Sequence, residues 1–166
     1  SAADRHGNVI AITLTHGGSF GARVVVPELG VVLGHGMSRF DPRPGLPNSV
    51  GPGKRPINNM CPTVVTRGGR PVLAVGGAGG TRIPNSVYEV LLRQVGLGQP
   101  LEAAMAAPRL HTDGTLKLGL DSRHAPEADA FYQKLGYTTT RGASALVSAV
   151  TVDAATGQTR GMSVAG

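Results

Sequence analysis

Tryptophan is absent from this sequence, and aromatic residues of every kind make up only 4% of it. Base stacking on aromatic platforms therefore has little to build on. Acid is also scarce: 10 Asp and Glu stand against 16 Lys and Arg, a formal net charge of +6. A basic balance can mark a nucleic-acid surface, but these cations are scattered and Lys54-Arg55 is the nearest thing to a cluster. No nucleic-acid partner is expected. A different explanation of the charge is that the chain is one half of a complex whose acidic half lies on another chain. Cys61 is the single cysteine, so no internal disulfide can form, which leaves the compartment open. No stretch is long and apolar enough to cross a membrane as a helix, and the first residues carry no signal-peptide pattern. No membrane partner, metal or cofactor is expected.

What is present is a chain of 166 residues, 40% hydrophobic, with 25 Gly and 12 Pro. That length suits one domain with a real core, read here as a single unit over residues 1–166. The β-branched run "NVIAITLT" (Asn8 to Thr15) predicts a strand after a turn-like "DRHG". Two apolar runs around Pro27-Glu28 predict a hairpin. The segment from Asp41 to Pro56, broken by Pro42, Pro44, Pro47, Pro52 and Pro56, predicts loop. "PTVVTRGGRPVLAVGG" is the clearest hairpin, with Gly68-Gly69 as its turn. A helix is expected to start near Ser86, where Ser86 and Glu89 have capping-box spacing and Val87, Val90, Leu91 and Val95 share a face, and to end at Gly96. "PLEAAMAAPR" predicts a short helix stopped by Pro108, and "APEADAFYQKLG" a third with Gly136 as its C-cap. "ALVSAVTVD" and "TRGMSVA" close the chain as a hairpin around "AATG". Strands, then helices, then strands predict an α+β fold.

The stretch "AVGGAGGTRIPNSVYEVLL" reads as strand, glycine-rich turn and helix. Its N–H groups suit a phosphate, an acyl oxyanion, or merely a tight turn. A Walker loop would need Lys and a hydroxyl at its end, and here the turn runs Gly80-Thr81-Arg82. The dinucleotide fingerprint G-x-G-x-x-G places its third glycine at Arg82, and no acidic residue follows at the ribose-binding spacing. The phosphate reading is weak.

Several segments, taken in order, resemble the small, C-terminal subunit of the gamma-glutamyltransferase family of N-terminal nucleophile hydrolases. They are "SAADRHGNVIAIT", "GPGKRPINNMCPTVV", "LAVGGAGGTRI", "VLLRQVGLGQPLEAAMAAPRLH" and "GASALVSAVTVD". The resemblance implies a four-layer αββα sandwich shared with a large subunit cut from the same self-cleaving precursor. It also implies a periplasmic or secreted setting. In that family the new N-terminal threonine of the small subunit is the nucleophile and its α-amino group the base. Here the family's opening Thr-Thr-His segment would lie just ahead of Ser1. The nucleophile is therefore expected upstream of Ser1; the alternative is that Ser1 is itself the new N-terminus. Four residues of strand are roughly 13 Å, which argues against moving the nucleophile to Ser1.

The resemblance carries further roles residue by residue. Thr15 matches a second threonine that bonds to the nucleophile and helps activate it; an ordinary strand-end threonine would look the same. Gly79 and Gly80 match the glycine pair whose N–H groups form the oxyanion hole. Asn58 and Asn59 stand where two serines usually contact the substrate α-carboxylate; capping of the loop before Met60 is the plainer alternative. Gly17 replaces a substrate-binding asparagine and Gly36 a glutamine or glutamate. Arg39 replaces the aspartate that holds the α-ammonium of a γ-glutamyl group, unless it simply faces solvent. The expected function is an amidohydrolase or acyltransferase acting through an acyl-enzyme on a small amide or peptide-like donor. An acyl group that carries a carboxylate but lacks the α-amine, such as glutaryl or another dicarboxylic acyl group, fits the altered pocket. The alternatives are a true γ-glutamyl transferase or hydrolase acting on glutathione-like compounds, and a non-catalytic binding protein that kept the fold.

Overall fold

In the computed structural model, which describes residues 1–164, the chain divides into two compact units. Leu14–Asn58 forms the smaller one, and Ser1–Thr13 joins the chain from Asn59 onward in the larger. The larger unit opens with β1 (Ala2–Ala3) and β2 (Val9–Ile10), an antiparallel pair. Between them the Asp4 carboxylate accepts the N–H groups of His6 and Asn8 at 2.8 and 2.9 Å. The strand predicted over Asn8 to Thr15 is thus cut short. A β-branched run favours extended backbone but does not supply a neighbour to pair with.

In the smaller unit, β3 (Val25–Val26) and β4 (Val31–Val32) form the hairpin expected around Pro27-Glu28. Gly30, at φ 62°, helps close it. A single 3-10 turn follows at Gly36–Arg39. The proline-rich loop is pinned by side chains. Asn48 donates to the Arg39 carbonyl at 2.7 Å and accepts the Ile57 N–H at 3.1 Å, and buried Ser49 accepts the Leu46 N–H at 2.7 Å.

The core of the larger unit starts from a turn. Gly68 and Gly69 take φ of 56° and 78°, which a two-residue hairpin turn requires, and join β5 (Thr63–Arg67) to β6 (Arg70–Ala78). After β6 come α1 (Ile83–Leu91) and α2 (Leu101–Ala106). Then follow β7 (Leu110–His111), β8 (Lys117–Asp121), α3 (Glu127–Lys134) and β9 (Thr138–Gly142). The hairpin β10 (Leu146–Val152) and β11 (Thr159–Val164) closes the described chain. One antiparallel sheet has the order β11-β10-β6-β5, and a second, β7-β8-β9, contains a parallel pair, β8 with β9. Leu73 and Val75 of β6 and Val147 and Ala149 of β10 pack against Val87 and Val90 of α1 and Met105 of α2, all buried. Each buried Leu, Val or Met side chain among them removes apolar area from water worth about 1.5–3 kcal/mol.

Three further expectations need correction. First, α1 starts at Ile83, with Pro84 in its first turn, where no N–H is needed. Ser86 is inside the helix and buried, its hydroxyl accepting the Ala145 N–H at 3.3 Å, while Glu89 accepts the Leu110 N–H at 2.9 Å. Both side chains serve a neighbouring segment rather than a helix cap. Second, a π turn at Leu92–Gly96 widens the helix end and takes Val95 off the buried face, leaving it 42% exposed. Third, the sheet β7-β8-β9 has no counterpart in the expected elements: β7 is only two residues long, and β9 is a threonine-rich strand without apolar alternation. The α3 stop is as expected: Gly136 sits at φ 90°, and the N–H groups of Gly136 and Tyr137 donate to Gln133 and Tyr132.

Asp121, at the end of β8, is 3% exposed. It accepts hydrogen bonds from Arg123 Nε at 2.8 Å and Nη2 at 2.5 Å, and from the Ser144 hydroxyl at 2.9 Å. The Arg123 hydrogen bonds hold its carboxyl well below the usual carboxylate range, against the opposing effect of burial. A carboxyl depressed in the fold contributes stability that is present above its unfolded value near 3.9 and is lost as pH falls towards the folded value. Thermal unfolding of the complete protein should therefore show a falling Tm below about pH 4, and Asp121→Asn should make that fall shallower. An acid branch unchanged in Asp121→Asn would contradict this. At neutral pH the variant should lose about 2–3 kcal/mol, below the value for a fully buried pair because Arg123 is partly exposed.

Candidate active site

The glycine-rich turn is built by two close approaches. A Cβ on Gly77 would stand 2.8 Å from the Leu146 carbonyl oxygen, and one on Gly79 would stand 2.8 Å from both Cα and Cβ of Ala145. Gly79 also has φ 147°, so no other residue fits there without displacement. From Gly79 the chain enters a 3-10 turn at Gly80–Arg82 and then α1. The first N–H groups of a helical turn have no partner within it. Among the described residues neither Gly79 N–H nor Gly80 N–H donates to another backbone group. Two adjacent donors at the head of a helix are what a developing oxyanion requires.

Asn59 lies against this turn. Its side-chain N–H donates in a short hydrogen bond to the Gly80 carbonyl, and its Oδ1 is buried with no hydrogen-bond partner among the described residues. The amide thus fixes the turn from the carbonyl side. Asn58, the last residue of the smaller unit, is exposed.

Within the smaller unit the remaining predicted residues fall on two adjoining segments. His35 N–H donates to the His16 carbonyl at 2.7 Å, which sets the Thr15–Gly17 stretch beside the turn holding Gly36 and Arg39. Thr15 is exposed, and its hydroxyl oxygen accepts the Gly17 N–H at 3.0 Å. Gly17 has φ 85°, and a Cβ there would meet the His35 Cβ at 3.4 Å. A Cβ on Gly36 would enter open space. Arg39 is half-buried, and among the described residues its guanidinium has no ion-pair partner. The structure therefore groups Asn59, Gly79 and Gly80 in one unit, and Thr15, Gly17, Gly36 and Arg39 in the other.

Sequence reasoning missed the residues that support the turn. Arg109 has no side-chain exposure, and its guanidinium donates to the carbonyls of Met105 at 2.9 Å and Ala145 at 3.0 Å. Nothing in "APRLH" distinguishes a buried arginine from a surface one. The only signal was its place within a segment of family resemblance.

An α+β fold with this strand–glycine turn–helix arrangement is that of the N-terminal nucleophile hydrolases. It is shared with a solved gamma-glutamyltranspeptidase from Pseudomonas nitroreducens. That likeness has a TM-score of 0.83 at 29% identity and covers 98% of this chain and 91% of that one. The Gamma-glutamyltranspeptidase family profile matches residues 1–165, and the chain belongs to this family, as its C-terminal, small-subunit part. Among curated relatives, it is 41% identical over 111 residues to the glutathione hydrolase proenzyme of Bacillus subtilis (strain 168), covering 67% of this chain and 19% of the relative. It is 38% identical over 112 residues to the acylase ACY 1 proenzyme of Pseudomonas sp. (strain SE83), covering 68% and 20%. The matched segment thus spans about a fifth of the length of these curated relatives.

Proposed function

We propose that this chain carries the oxyanion hole and part of the donor pocket of an amidohydrolase or acyltransferase that works through an acyl-enzyme. The observation that carries this reading is the Gly79–Gly80 turn, whose N–H groups donate to no backbone group among the described residues and whose Gly79 leaves no room for a Cβ. The nucleophile is a threonine ahead of Ser1, whose α-amine, with an ordinary pKa near 8, takes the hydroxyl proton. The oxygen then attacks the donor carbonyl, and the charge that develops is held by Gly79 and Gly80. The amine leaves with the proton, and water or a second amine releases the acyl group. Thr15 orients the nucleophile, and Asn58 and Asn59 contact the donor.

Arg39 favours a donor that lacks the α-ammonium of γ-glutamyl, such as glutaryl, because a guanidinium repels that cation and can pair with the carboxylate that both donors carry. A relative named as an acylase supports a family range wider than glutathione. Relatives named as glutathione hydrolases keep the γ-glutamyl donor as the second reading. The testing experiment is release of aniline from glutaryl and γ-glutamyl anilides by the complete protein. Turnover of either supports the acyl-enzyme reading. Turnover of neither, together with micromolar binding of ATP or NAD at the glycine turn, would overturn it.

A large subunit from the same precursor is the proposed partner. Leu14 is 92% exposed, Phe20 79% and Met37 64%, a density of bare apolar side chains that a lone soluble chain rarely tolerates. Residues 1–166 expressed alone should aggregate or melt without cooperativity. A soluble monomer with a sharp thermal transition would contradict the two-subunit reading.

A further inference from the structure

We propose that Ser86 and Arg109 are positioning residues for the reaction: together they clamp Ala145, and Ala145 sets the Gly79–Gly80 turn. This rests on the reading of that turn as an oxyanion hole. Ala145 touches Gly79 so closely that a single added carbon would collide with it at 2.8 Å. The position of Gly79 is therefore fixed by the position of Ala145, and both backbone polar groups of Ala145 are held by buried side chains. Its N–H donates to the Ser86 hydroxyl at 3.3 Å, and its carbonyl accepts from Arg109 at 3.0 Å. Ser86 is 1% exposed and Arg109 0%.

The clamp reaches the turn by a second route. Ser86 sits on α1, the helix that the glycine turn leads into, so one hydroxyl ties the head of the helix to the wall that Gly79 packs against. Arg109 ties the same wall to α2 through the Met105 carbonyl, in the last turn of that helix, where a cation suits the helix dipole. Burial lowers the Arg109 pKa, and no carboxylate hydrogen-bonds to it among the described residues. A buried cation spent on two carbonyls is a poor way to fill a core, since apolar side chains of equal volume are usually at least as stable. It is a good way to fix where two backbone segments lie. Oxyanion donors tolerate little displacement, so the clamp acts on the transition state more than on donor binding.

The test is made in the complete protein with kcat expressed per titrated active site. Losing an oxyanion donor lowers kcat by about 10²–10³, and loosening its support through Ser86→Ala should lower it by about tenfold. KM should stay within about twofold. A boronic acid analogue of the donor, which becomes tetrahedral at the nucleophile, should weaken in proportion to kcat, while the affinity for the carboxylic acid product is unchanged. Ala145→Gly, which removes the wall, should give a similar defect, and the double variant should fall short of the product of the two. Ser86→Cys, a weaker acceptor of similar size, should be intermediate. If Ser86→Ala lowers Tm while kcat per site and boronate affinity stay at the parent values, the role is merely structural and the proposal fails. Gly79→Ala separates this from the underlying reading. Loss of turnover in Gly79→Ala beside a silent Ser86→Ala sinks the clamp alone, whereas a silent Gly79→Ala removes the oxyanion reading and the clamp with it.

Discussion

Gly79→Ala in the complete protein should lower kcat by two orders of magnitude or more, at least about the scale of a lost oxyanion donor. The physical reason is twofold. The added methyl would lie 2.8 Å from backbone Cα and from Cβ of Ala145, and backbone does not swing aside as a flexible side chain would. The residue also holds φ 147°, a conformation that alanine rarely adopts. The turn must therefore rotate or retreat, and its N–H groups leave the point where charge develops. Gly80 makes an instructive contrast. Its φ is 64°, but a Cβ there meets nothing within 4 Å. Gly80→Ala should incur only the left-handed backbone penalty of about 1–2 kcal/mol, whereas a β-branched Gly80→Val should approach the Gly79 defect. Single-turnover kinetics with active-site titration measure these losses directly. Parent-like turnover in folded Gly79→Ala would show that the turn is only a structural corner.

The second large effect concerns the donor. An α-ammonium needs acceptors, and the positions proposed to face it supply Gly17, Gly36 and Arg39, of which only Arg39 has a side chain to offer. Arg39 is half-buried as a residue, and its guanidinium has no ion-pair partner among the described residues. Losing one charged partner typically costs about 2–5 kcal/mol, roughly 30- to 5,000-fold, and reversing its sign should cost no less. A glutaryl anilide should accordingly exceed a γ-glutamyl anilide in kcat/KM by at least about 30-fold. Arg39→Asp should move the ratio towards the γ-glutamyl donor, and adding Gly17→Asn should move it further. Asparagine suits that position because it tolerates positive φ better than most residues, and Gly17 sits at 85°. A parent that already prefers the γ-glutamyl donor, with a ratio unmoved in Arg39→Asp, would place Arg39 outside the pocket.

The parts of the fold legible in the sequence were those with local causes. Gly68-Gly69 announced a hairpin because two adjacent left-handed residues do little else, and Gly136 announced a helix stop because one left-handed residue after a helix ends it. The α1 start was misread because Ser86 and Glu89 have capping-box spacing, yet their partners, Ala145 and Leu110, are distant in sequence. No local pattern encodes such a contact. β8 and β9 were invisible because a parallel pair joined through α3 is specified by packing, and the polar threonines of β9 carry no alternation. At the site, the glycine turn was readable as a turn and its unfitness for phosphate followed from Arg82. The oxyanion role proposed for it rested on resemblance. The buried arginine behind it was not readable, since burial is a property of the assembled sheet and helices.

The most direct measurement is the intact mass of the small subunit from the complete protein, before and after acid quench during turnover of a glutaryl amide. The account predicts a mature chain that begins with threonine shortly ahead of Ser1 and gains the mass of one glutaryl group on that residue. The adduct should be lost in Gly79→Ala. A mature chain with no N-terminal hydroxyl residue, or turnover with no adduct on the N-terminal peptide from either donor, would contradict it.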